Sequence, residues 1–429
     1  MSATIDLSDG QGRNGALDAA LVALVFLTLL SAFAISANLL EANGINYGSP
    51  GGNPLSKFHP ATYLAVLAFL TSAARFGNPI AYFVAIGARF PGLALFFLTY
   101  VGMVLWTGLV QRTPVSGLVD TFLAPMLCLP LVAQLNERQH AVLTRLLHIL
   151  MVANAAIGVA EAATGWRLTP VLVQGDVIDW DWRSTALLGH PLGNAAITGV
   201  YMVIMFFGAD RSIGPRARAA ILILEALAMN AFGGRTAIVA ALVVIGPVLV
   251  ARFVALLGGR QFDKRSAAVV VAMIPLLVAA AAVAYDLGAF DRLVERFTSD
   301  EGSANTRLIM LRIFNSFSWH DLLMGPDQEV LSARTWVEGT TAGIESFVFG
   351  FFLQYGILIS LIFFAGLAAF SAELWRLGSR YALVSLLYFY AVVAGAASLN
   401  TKSTTLMLLT ALFLTVEARP AVSDPDDDR

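Results

Sequence analysis

Charged residues are scarce in this chain of 429 residues: Asp, Glu, Lys and Arg together make up 13% of it, whereas hydrophobic residues make up 58%. The mean hydropathy is +0.74. A water-soluble domain needs far more polar surface than this to cover its core. The composition therefore excludes an ordinary soluble protein and predicts that lipid solvates much of the chain. The net charge of -2 also argues against a nucleic-acid partner.

Cys128 is the single cysteine, so no internal disulfide can form, and its place in an apolar run indicates packing as a small side chain. The chain also lacks a glycine-rich phosphate loop ending in Lys-Ser or Lys-Thr, and its potential metal ligands are scattered. We therefore expect neither direct ATP chemistry nor a metal or other cofactor. The polar segment Met1–Gly15 lacks the basic region and cleavage site of a signal peptide, so we expect the first hydrophobic stretch to be retained.

Long hydrophobic runs, by contrast, recur along the chain. A helix that spans a membrane needs roughly 20 apolar residues, because only internal hydrogen bonds satisfy its backbone in hydrocarbon. We predict an all-α polytopic bundle of about twelve transmembrane helices. The predicted spans lie near residues 16–36, 60–74, 91–110, 117–135, 141–163, 190–208, 219–232, 236–257, 266–285, 345–370, 381–398 and 403–418. The stretch from Asn78 to Gly87 is predicted to be interfacial or re-entrant.

The basic residues of the loops assign the sides of the membrane. If the N-terminus is cytoplasmic, every inside loop is at least as basic as the short outside loops next to it, which favours two cytoplasmic termini. The predicted organisation is then a cytoplasmic tail (1–15), nine spans (16–285), one large periplasmic loop (286–344), three spans (345–418) and an acidic cytoplasmic tail (419–429). A loop of this length is far longer than an ordinary connection, so we expect any activity on the outer face.

Four arginines at the predicted outer boundary are candidates for binding an anion. Arg183 lies just before the sixth span, and Arg235 lies between the seventh and eighth. Arg307 and Arg312 lie on a helix-like stretch of the large loop, Asn305 to Phe317. A guanidinium binds two phosphate oxygens at once, and it does so more strongly where water is excluded. The alternative is that each arginine only snorkels from a helix end and anchors it.

Two residues are candidates for proton transfer. Glu345 opens a long apolar run at the outer boundary, where desolvation would suit a general base; alternatively, it is a helix N-terminal acid that the helix dipole favours. His190 stands in a Gly-His-Pro turn that permits a break at the start of a helix. Its alternative is a hydrogen-bonded imidazole at an ordinary helix start.

Other polar residues of the apolar runs have weaker interpretations. Asp120, Glu161 and Glu225 lie in or near predicted spans, and buried acids in membranes often mark ion paths, so a transporter stays under consideration. His59, His140 and His148 show no supporting partner in the sequence.

Tryptophans are frequent in the predicted outer loops. Trp180, Trp182 and Trp336 are candidates for stacking on sugar rings, because an indole packs well against the C–H face of a sugar. The alternative is that they belong to the aromatic belt at the membrane interface.

Short motifs resemble the O-antigen ligase and O-antigen polymerase superfamily of bacterial polysaccharide assembly. They are the segment from Arg183 to Asn194, the Gly-Arg-Thr-Ala element at Gly234, Asn305-Thr-Arg307 with the later Asp321-Leu-Leu-Met-Gly325, and the Glu345-Ser-Phe start of a span that continues to Gly356. The order of these elements and their predicted sides match the family. One departure is that the ligases have a His-Asn pair where this chain has Glu345-Ser346, which favours a polymerase over a ligase.

The resemblance implies glycosyl transfer on the periplasmic face of the bacterial inner membrane. The donor would be a glycan linked through diphosphate to undecaprenol, and the acceptor a lipid-linked repeat unit of an exopolysaccharide, capsule or O-antigen. Arg183, Arg235 and Arg307 would stabilise the leaving diphosphate, with Arg312 nearby, and Glu345 or His190 would accept the proton of the acceptor. Other polysaccharide assembly proteins are possible partners.

Three alternatives stay open from the sequence. The first is an O-antigen ligase that transfers glycan to lipid A core or to a protein. The second is a secondary transporter or flippase, although we find no internal repeat of the kind that transporters commonly contain. The third is a non-catalytic partner in a polysaccharide export complex, with the large loop as its docking surface.

Overall fold

Helices make up most of the protein in the computed structural model. The structure describes residues 15–49, 51–173, 176–178, 182–210, 212–257, 303–338, 346–396 and 399–418. The ninth predicted span (266–285), both tails and the first part of the large loop lie outside the described residues. Strand is limited, within the described ranges, to a hairpin of β1 (Leu172–Val173) and β2 (Asp176–Val177), in which Leu172 pairs with Val177.

The helices of the first part of the chain are α1 (Gly15–Ala34), α2 (Ala37–Ala42), α3 (Pro60–Phe76), α4 (Pro79–Arg89), α5 (Pro91–Leu105), α6 (Ser116–Leu118), α7 (Ala124–Val132), α8 (Glu137–Thr164), α9 (Pro191–Phe207), α10 (Pro215–Phe232) and α11 (Arg235–Leu257). The later helices are α12 (Ser303–Asn315), α13 (Trp319–Met324), α14 (Gln328–Val337), α15 (Phe347–Tyr355), α16 (Ile357–Leu377), α17 (Ala382–Ala394) and α18 (Thr405–Thr415). Two π-helical turns, Trp106–Val110 and Val119–Leu123, follow α5 and join α6 to α7.

Five of the described helices are long and apolar enough to cross a membrane: Gly15–Ala34, Pro91–Val110, Glu137–Thr164, Arg235–Ala255 and Ile357–Leu377. A sixth candidate is the pair α3 and α4, which meet at 107°. This bend agrees with the prediction that the segment near Asn78 is interfacial or re-entrant. Four further apolar helices are shorter, 10–17 residues. The prediction of a helical protein with several apolar helices is thus confirmed, with five to six candidate spans by length and composition.

Proline and glycine set many of the helix limits. Five helices (α3, α4, α5, α9 and α10) begin with a proline, whose missing N–H is not needed in the first turn. Gly77, Gly165, Gly208 and Gly233 end helices in the left-handed conformation, which costs glycine little. These limits follow directly from the sequence, so most of the predicted spans agree with the helices within a few residues where both are described. The tenth predicted span (345–370) is an exception, because Gly356 divides it into α15 and α16 and α16 continues to Leu377.

Glycines also allow the closest contacts between helices. A Cβ on Gly92 would lie 2.3 Å from the carbonyl oxygen of Ala369, and one on Gly366 would lie 1.9 Å from the Thr99 hydroxyl, so α5 and α16 touch at two levels. A Cβ on Gly199 of α9 would lie 1.7 Å from the Tyr388 hydroxyl of α17. Close packing through small residues is typical of helices in membranes.

Contacts between loops sort the helix ends into two sets. We call one end the outer end, after the predicted sides; it is formed by residues 35–49, 51–59, 165–173, 176–178, 182–190 and 399–404. It is joined by hydrogen bonds from the Asn38 amide to Gly189 O (2.6 Å) and from Lys402 to Tyr47 O (2.9 Å). The inner end is formed by residues 77–90, 133–136, 208–210, 212–214 and 378–381. An ion pair of 3.0 Å between Arg75 and Asp18 lies next to these residues.

The described part of the large loop packs on the outer end. Helices α12 to α14 share a small apolar core with α15, made by Met310, Ile313, Leu322, Leu331 and Leu353. The turn at Gly325 lies against the break between α15 and α16 at Gly356, and both glycines have positive φ (94° and 93°). The predicted helix-like stretch from Asn305 to Phe317 is therefore confirmed, as α12.

Candidate functional site

A buried carboxylate fixes the segment that leads into α9. The Oε2 atom of Glu161, on α8, accepts hydrogen bonds from the backbone N–H groups of Thr185 (2.7 Å) and Ala186 (2.9 Å). Its Oε1 atom accepts one from Leu168 (2.8 Å). Hydrogen bonds to a charged acceptor are among the stronger ones in proteins. Glu161 therefore anchors two outer-end segments, and its oxygens are occupied by backbone donors.

Two buried asparagines complete this anchor. Asn154 accepts a hydrogen bond from the backbone N–H of Leu187 (3.1 Å), and the Asn194 amide donates to the carbonyl oxygen of Thr185 (2.6 Å). Ala186 has a φ of 41°, a conformation that a residue other than glycine rarely adopts without such support. The segment that carries Arg183 and His190 is therefore held at both of its ends by side chains of α8 and α9.

The two arginine-bearing segments lie next to each other at the outer end. The N–H of Ser184 donates to the carbonyl oxygen of Ala231, near the end of α10 (3.1 Å). Three residues later, Gly234 lies so close to α9 that a Cβ on it would be 2.4 Å from the Cβ of Ala195. Arg235 follows at once and begins α11. Arg183 and Arg235 are both partly buried, and neither side chain is without an interaction.

The start of α15 lies beside the start of α11. The Ser346 hydroxyl donates to the carbonyl oxygen of Ala394, at the end of α17 (3.3 Å). A Cβ on Gly395, the next residue, would lie 4.0 Å from the side chain of Thr236. Glu345 directly precedes Ser346 in the chain and lies outside the described residues. Three helices, α9, α11 and α15, therefore begin in this region with their N–H groups toward the outer end, an arrangement that favours anions.

The other predicted site residues are less closely associated with this region. His190 is exposed at the start of α9, and its side chain makes no capping bond to that helix. Arg307 belongs to α12, but its side chain lies outside the description, and Arg312 is exposed on the same helix. Trp336 is 73% exposed at the end of α14. Arg312 and Trp336 both lie on helices of the large loop.

Of the two remaining tryptophans, Trp182 is partly buried and has an interaction partner, whereas Trp180 lies outside the described residues.

A second polar cluster of the outer end was not recognisable in the sequence. Asp120, which is fully buried, accepts hydrogen bonds from the Tyr47 hydroxyl (2.8 Å), the Thr62 hydroxyl (2.7 Å) and the backbone N–H of His59 (3.1 Å). Lys402 lies 3.8 Å from the same carboxylate. We call these five residues the Asp120 cluster. These residues come from four separate segments of the chain, so no local sequence motif indicates that they form a cluster.

The histidines that showed no partner in the sequence all have one in the structure. The Nε2 atom of His59 lies 2.7 Å from the carbonyl oxygen of Ile35, and that of His140 lies 2.6 Å from the carbonyl oxygen of Leu414. His148 lies between Tyr201 and an aspartate of the inner end. The prediction that these histidines lack partners was wrong, because each partner comes from a distant segment of the chain.

Lys402 places a cation near the start of α15. Its ammonium group lies 3.7 Å from the centroid of the Tyr47 ring and donates to the Tyr47 carbonyl oxygen (2.9 Å). Burial lowers its pKa to about 8, against the opposing attraction of Asp120. Two residues earlier, the Asn400 amide lies 3.5 Å from the carbonyl oxygen of Ser346. The Asp120 cluster is therefore linked to the region of the arginine-bearing segments through the start of α15.

No protein-family model, curated protein or solved structure matches this chain. The chemistry of the site must therefore be judged from its own side chains. Among the described residues, no three His, Cys, Asp or Glu side chains are grouped so that they could hold a metal ion. What the outer end brings together is the segments of two arginines and the N-termini of three helices, next to apolar helices. This combination suits an anionic group attached to a lipid.

Proposed function

We propose that this protein is a polysaccharide polymerase of the bacterial inner membrane. It elongates an exopolysaccharide, capsule or O-antigen by transferring glycan from an undecaprenyl-diphosphate-linked donor to a lipid-linked acceptor on the periplasmic face. In this proposal the chain crosses the membrane about twelve times, so that the shorter apolar helices also span it, and both termini are cytoplasmic. The large loop then covers the periplasmic face of the site.

One observation carries the proposal: the segments of Arg183 and Arg235, far apart in the sequence, are held together where three apolar helices begin. Snorkelling alone would not require a buried glutamate and two asparagines to fix the backbone around Arg183. Guanidinium groups in fixed positions stabilise the charge that develops on a leaving diphosphate without reorganising during the reaction. The apolar helices next to them offer the surroundings that a polyprenyl tail needs.

The chemistry assigns a role to each predicted residue. Arg183, Arg235 and Arg307 hold the diphosphate oxygens. A hydroxyl of the acceptor sugar attacks the anomeric carbon of the donor glycan, and its proton passes to Glu345 or, in the second version, to His190. The bond between the anomeric carbon and the diphosphate oxygen breaks, which releases undecaprenyl diphosphate and leaves the elongated glycan on the acceptor lipid. The departing diphosphate drives the reaction.

The test replaces the arginines one at a time in the native host. We expect Arg183→Ala and Arg235→Ala to accumulate a single lipid-linked repeat unit and to lose long polymer, at unchanged protein abundance. The control is Arg89→Ala, an exposed arginine of the inner end, which should leave polymer length unchanged. Long polymer in both outer-end variants would end the proposal, and altered uptake of a solute would favour a transporter.

A second experiment separates the polymerase from a ligase, since the two differ mainly in their acceptor. Purified protein is given a labelled lipid-linked repeat, either alone or with lipid A core. A ladder of longer lipid-linked glycans supports the polymerase, whereas transfer only to lipid A core supports the ligase. Glu345→Gln should abolish either reaction if the carboxylate accepts the proton; turnover at the wild-type rate would remove Glu345 from the mechanism.

A further inference from the structure

Glu225 is a buried acid that the proposed glycan chemistry does not use. It lies near the middle of α10 and has no exposed surface. Neither of its carboxyl oxygens has a hydrogen-bond partner among the described residues. Burying a carboxylate without a donor is very costly, and acids in such places within membrane proteins usually have a function.

A line of hydrogen-bonded side chains leads from the inner end of the bundle to α9, the helix next to that of Glu225. The Nε2 atom of His148, on α8, lies 2.8 Å from the Oδ2 atom of Asp210, in the loop between α9 and α10. The Nδ1 atom of His148 shares a hydrogen bond of 2.6 Å with the hydroxyl of Tyr201, on α9. Tyr201 lies on α9, which packs against α10, the helix that carries Glu225. Three neighbouring helices thus contribute successive members of one line.

Asp210 holds the inner end of this line as a fixed negative charge. Burial alone would raise its pKa, but hydrogen bonds from His148 and Ser212 outweigh burial and bring the pKa down to about 2. The backbone N–H and the hydroxyl of Ser212 donate to Asp210 at 2.7 and 2.9 Å. A carboxylate that stays charged does not itself store a proton at neutral pH. It orients the imidazole through the hydrogen bond to Nε2.

The other charged groups on the helices around α10 lie farther along those helices or are already engaged. Glu161 is bonded to backbone N–H groups at the outer end, and Arg252 lies over the ring of Phe206. The remaining charged or titratable residues are Glu137, Arg138, His140 and Arg145 in the first three turns of α8, Arg216 and Arg218 in the first turn of α10, and Arg235 at the start of α11. Tyr201 and His148 are therefore the titratable groups that connect Glu225 with the inner end.

We propose that Glu225 is a proton-binding site inside the bundle and that His148 and Tyr201 deliver protons to it from the inner end. In the transfer, protonated His148 gives its Nδ1 proton to the oxygen of Tyr201. The hydroxyl proton of Tyr201 passes to the Glu225 carboxylate, through one water molecule or a rotation of the side chain. His148 regains its proton from water at the inner end. One proton has then moved from that water to Glu225, and no other bond has changed. This activity does not depend on the glycan chemistry.

The test follows the carboxyl group of Glu225 by infrared spectroscopy of the purified protein in lipid. The wild-type spectrum minus that of Glu225→Gln should contain the C=O band of a protonated buried acid, and transfer into D2O should shift this band quickly. In Tyr201→Phe and in His148→Gln we expect the exchange to slow by about a hundredfold or more, as on the loss of a general acid–base group. Unfolding temperatures identify any variant that fails to fold.

A matched control is Tyr388→Phe, which removes another buried hydroxyl, one that donates to the Ala237 carbonyl oxygen (3.1 Å) away from the line. It should exchange at the wild-type rate. The proposal is overturned if the band of a protonated Glu225 is absent between pH 5 and 8, or if Tyr201→Phe and His148→Gln both exchange as fast as the wild type.

Discussion

Asp120 and Glu225 are two acids with no exposed surface, and their surroundings are opposite. Asp120 lies at the outer end, where two hydroxyls and a backbone N–H donate to it and Lys402 lies 3.8 Å away. Glu225 lies mid-helix, and none of the described residues donates to it. In the sequence, both acids were reasons to consider a transporter. In the structure, only Glu225 remains available for exchange with protons.

The difference between these acids is one of energy. A carboxylate taken out of water is tolerated where donors and a cation replace its hydration, and the Asp120 cluster supplies both. Such a carboxylate holds together segments that are far apart in the sequence. A carboxyl group without donors lacks this support for its charge. It can therefore gain or lose a proton when a neighbouring group delivers or accepts one. We therefore expect Asp120 to matter for stability and Glu225 for exchange of protons.

The largest effect is expected for Asp120→Ala. Removing the carboxylate leaves the buried Lys402 and three donors without their acceptor, which typically costs about 3–5 kcal/mol. The measurement is the unfolding temperature of the purified protein in detergent, together with its abundance in the membrane. The control is Asp18→Ala, which removes the more exposed partner of the ion pair with Arg75 and should cost less, because Arg75 keeps its hydrogen bond to Gln134. Equal effects of the two variants would contradict the role of the Asp120 cluster.

Glu161→Gln should have the next largest effect. One carboxylate now accepts three backbone N–H groups, and an amide with a single oxygen leaves at least one of them without its acceptor, at a cost of about 1–3 kcal/mol. Because the segment before α9 then moves, polymer length should fall as well. Arg183→Ala provides the comparison, since it should shorten the polymer without lowering the unfolding temperature. A stable Glu161→Gln protein that makes full-length polymer would show that the anchor does not position Arg183.

These contrasts mark what the sequence could and could not predict. Helix positions follow from long apolar runs bounded by proline and glycine, so α8 and α11 begin and end close to the predicted spans. Arg183 and Arg235 could be named as candidates because each stands at the predicted outer end of an apolar run, but the sequence did not show that their segments are adjacent. The Asp120 cluster was not identifiable, since Tyr47, Asp120 and Lys402 are separated by dozens to hundreds of residues and hydrophobicity gives no information on which helices touch. For the same reason the partners of the histidines were missed.

Lys402 should have a smaller effect on stability than Asp120 or Glu161, and this effect depends on pH. Because burial lowers its pKa to about 8, the folded state releases this proton at a lower pH than the unfolded state, whose lysine keeps its ordinary value of 10.5. The unfolded state binds more protons in this window, so the unfavourable contribution of Lys402 is largest below pH 8 and fades as the pH rises toward 10.5. The stability of the wild type relative to Lys402→Met should therefore increase between pH 7 and 10. Parallel stability curves of the two proteins would contradict a lowered pKa.

The smallest effect on stability is expected for Glu225→Gln. Beside the result for Asp120→Ala, it is the most informative measurement for comparing the two acids. An amide of the same shape loses no hydrogen bond that the described residues make, so the unfolding free energy should change by less than about 1 kcal/mol or rise slightly. The measurement is the same detergent unfolding series that is used for Asp120→Ala. If Glu225→Gln instead lowered the unfolding free energy by several kcal/mol, the carboxylate would have strong donors. Glu225 would then stabilise the fold as Asp120 does. A small change in stability combined with loss of proton exchange would separate the two acids by function, although both are equally hidden from water.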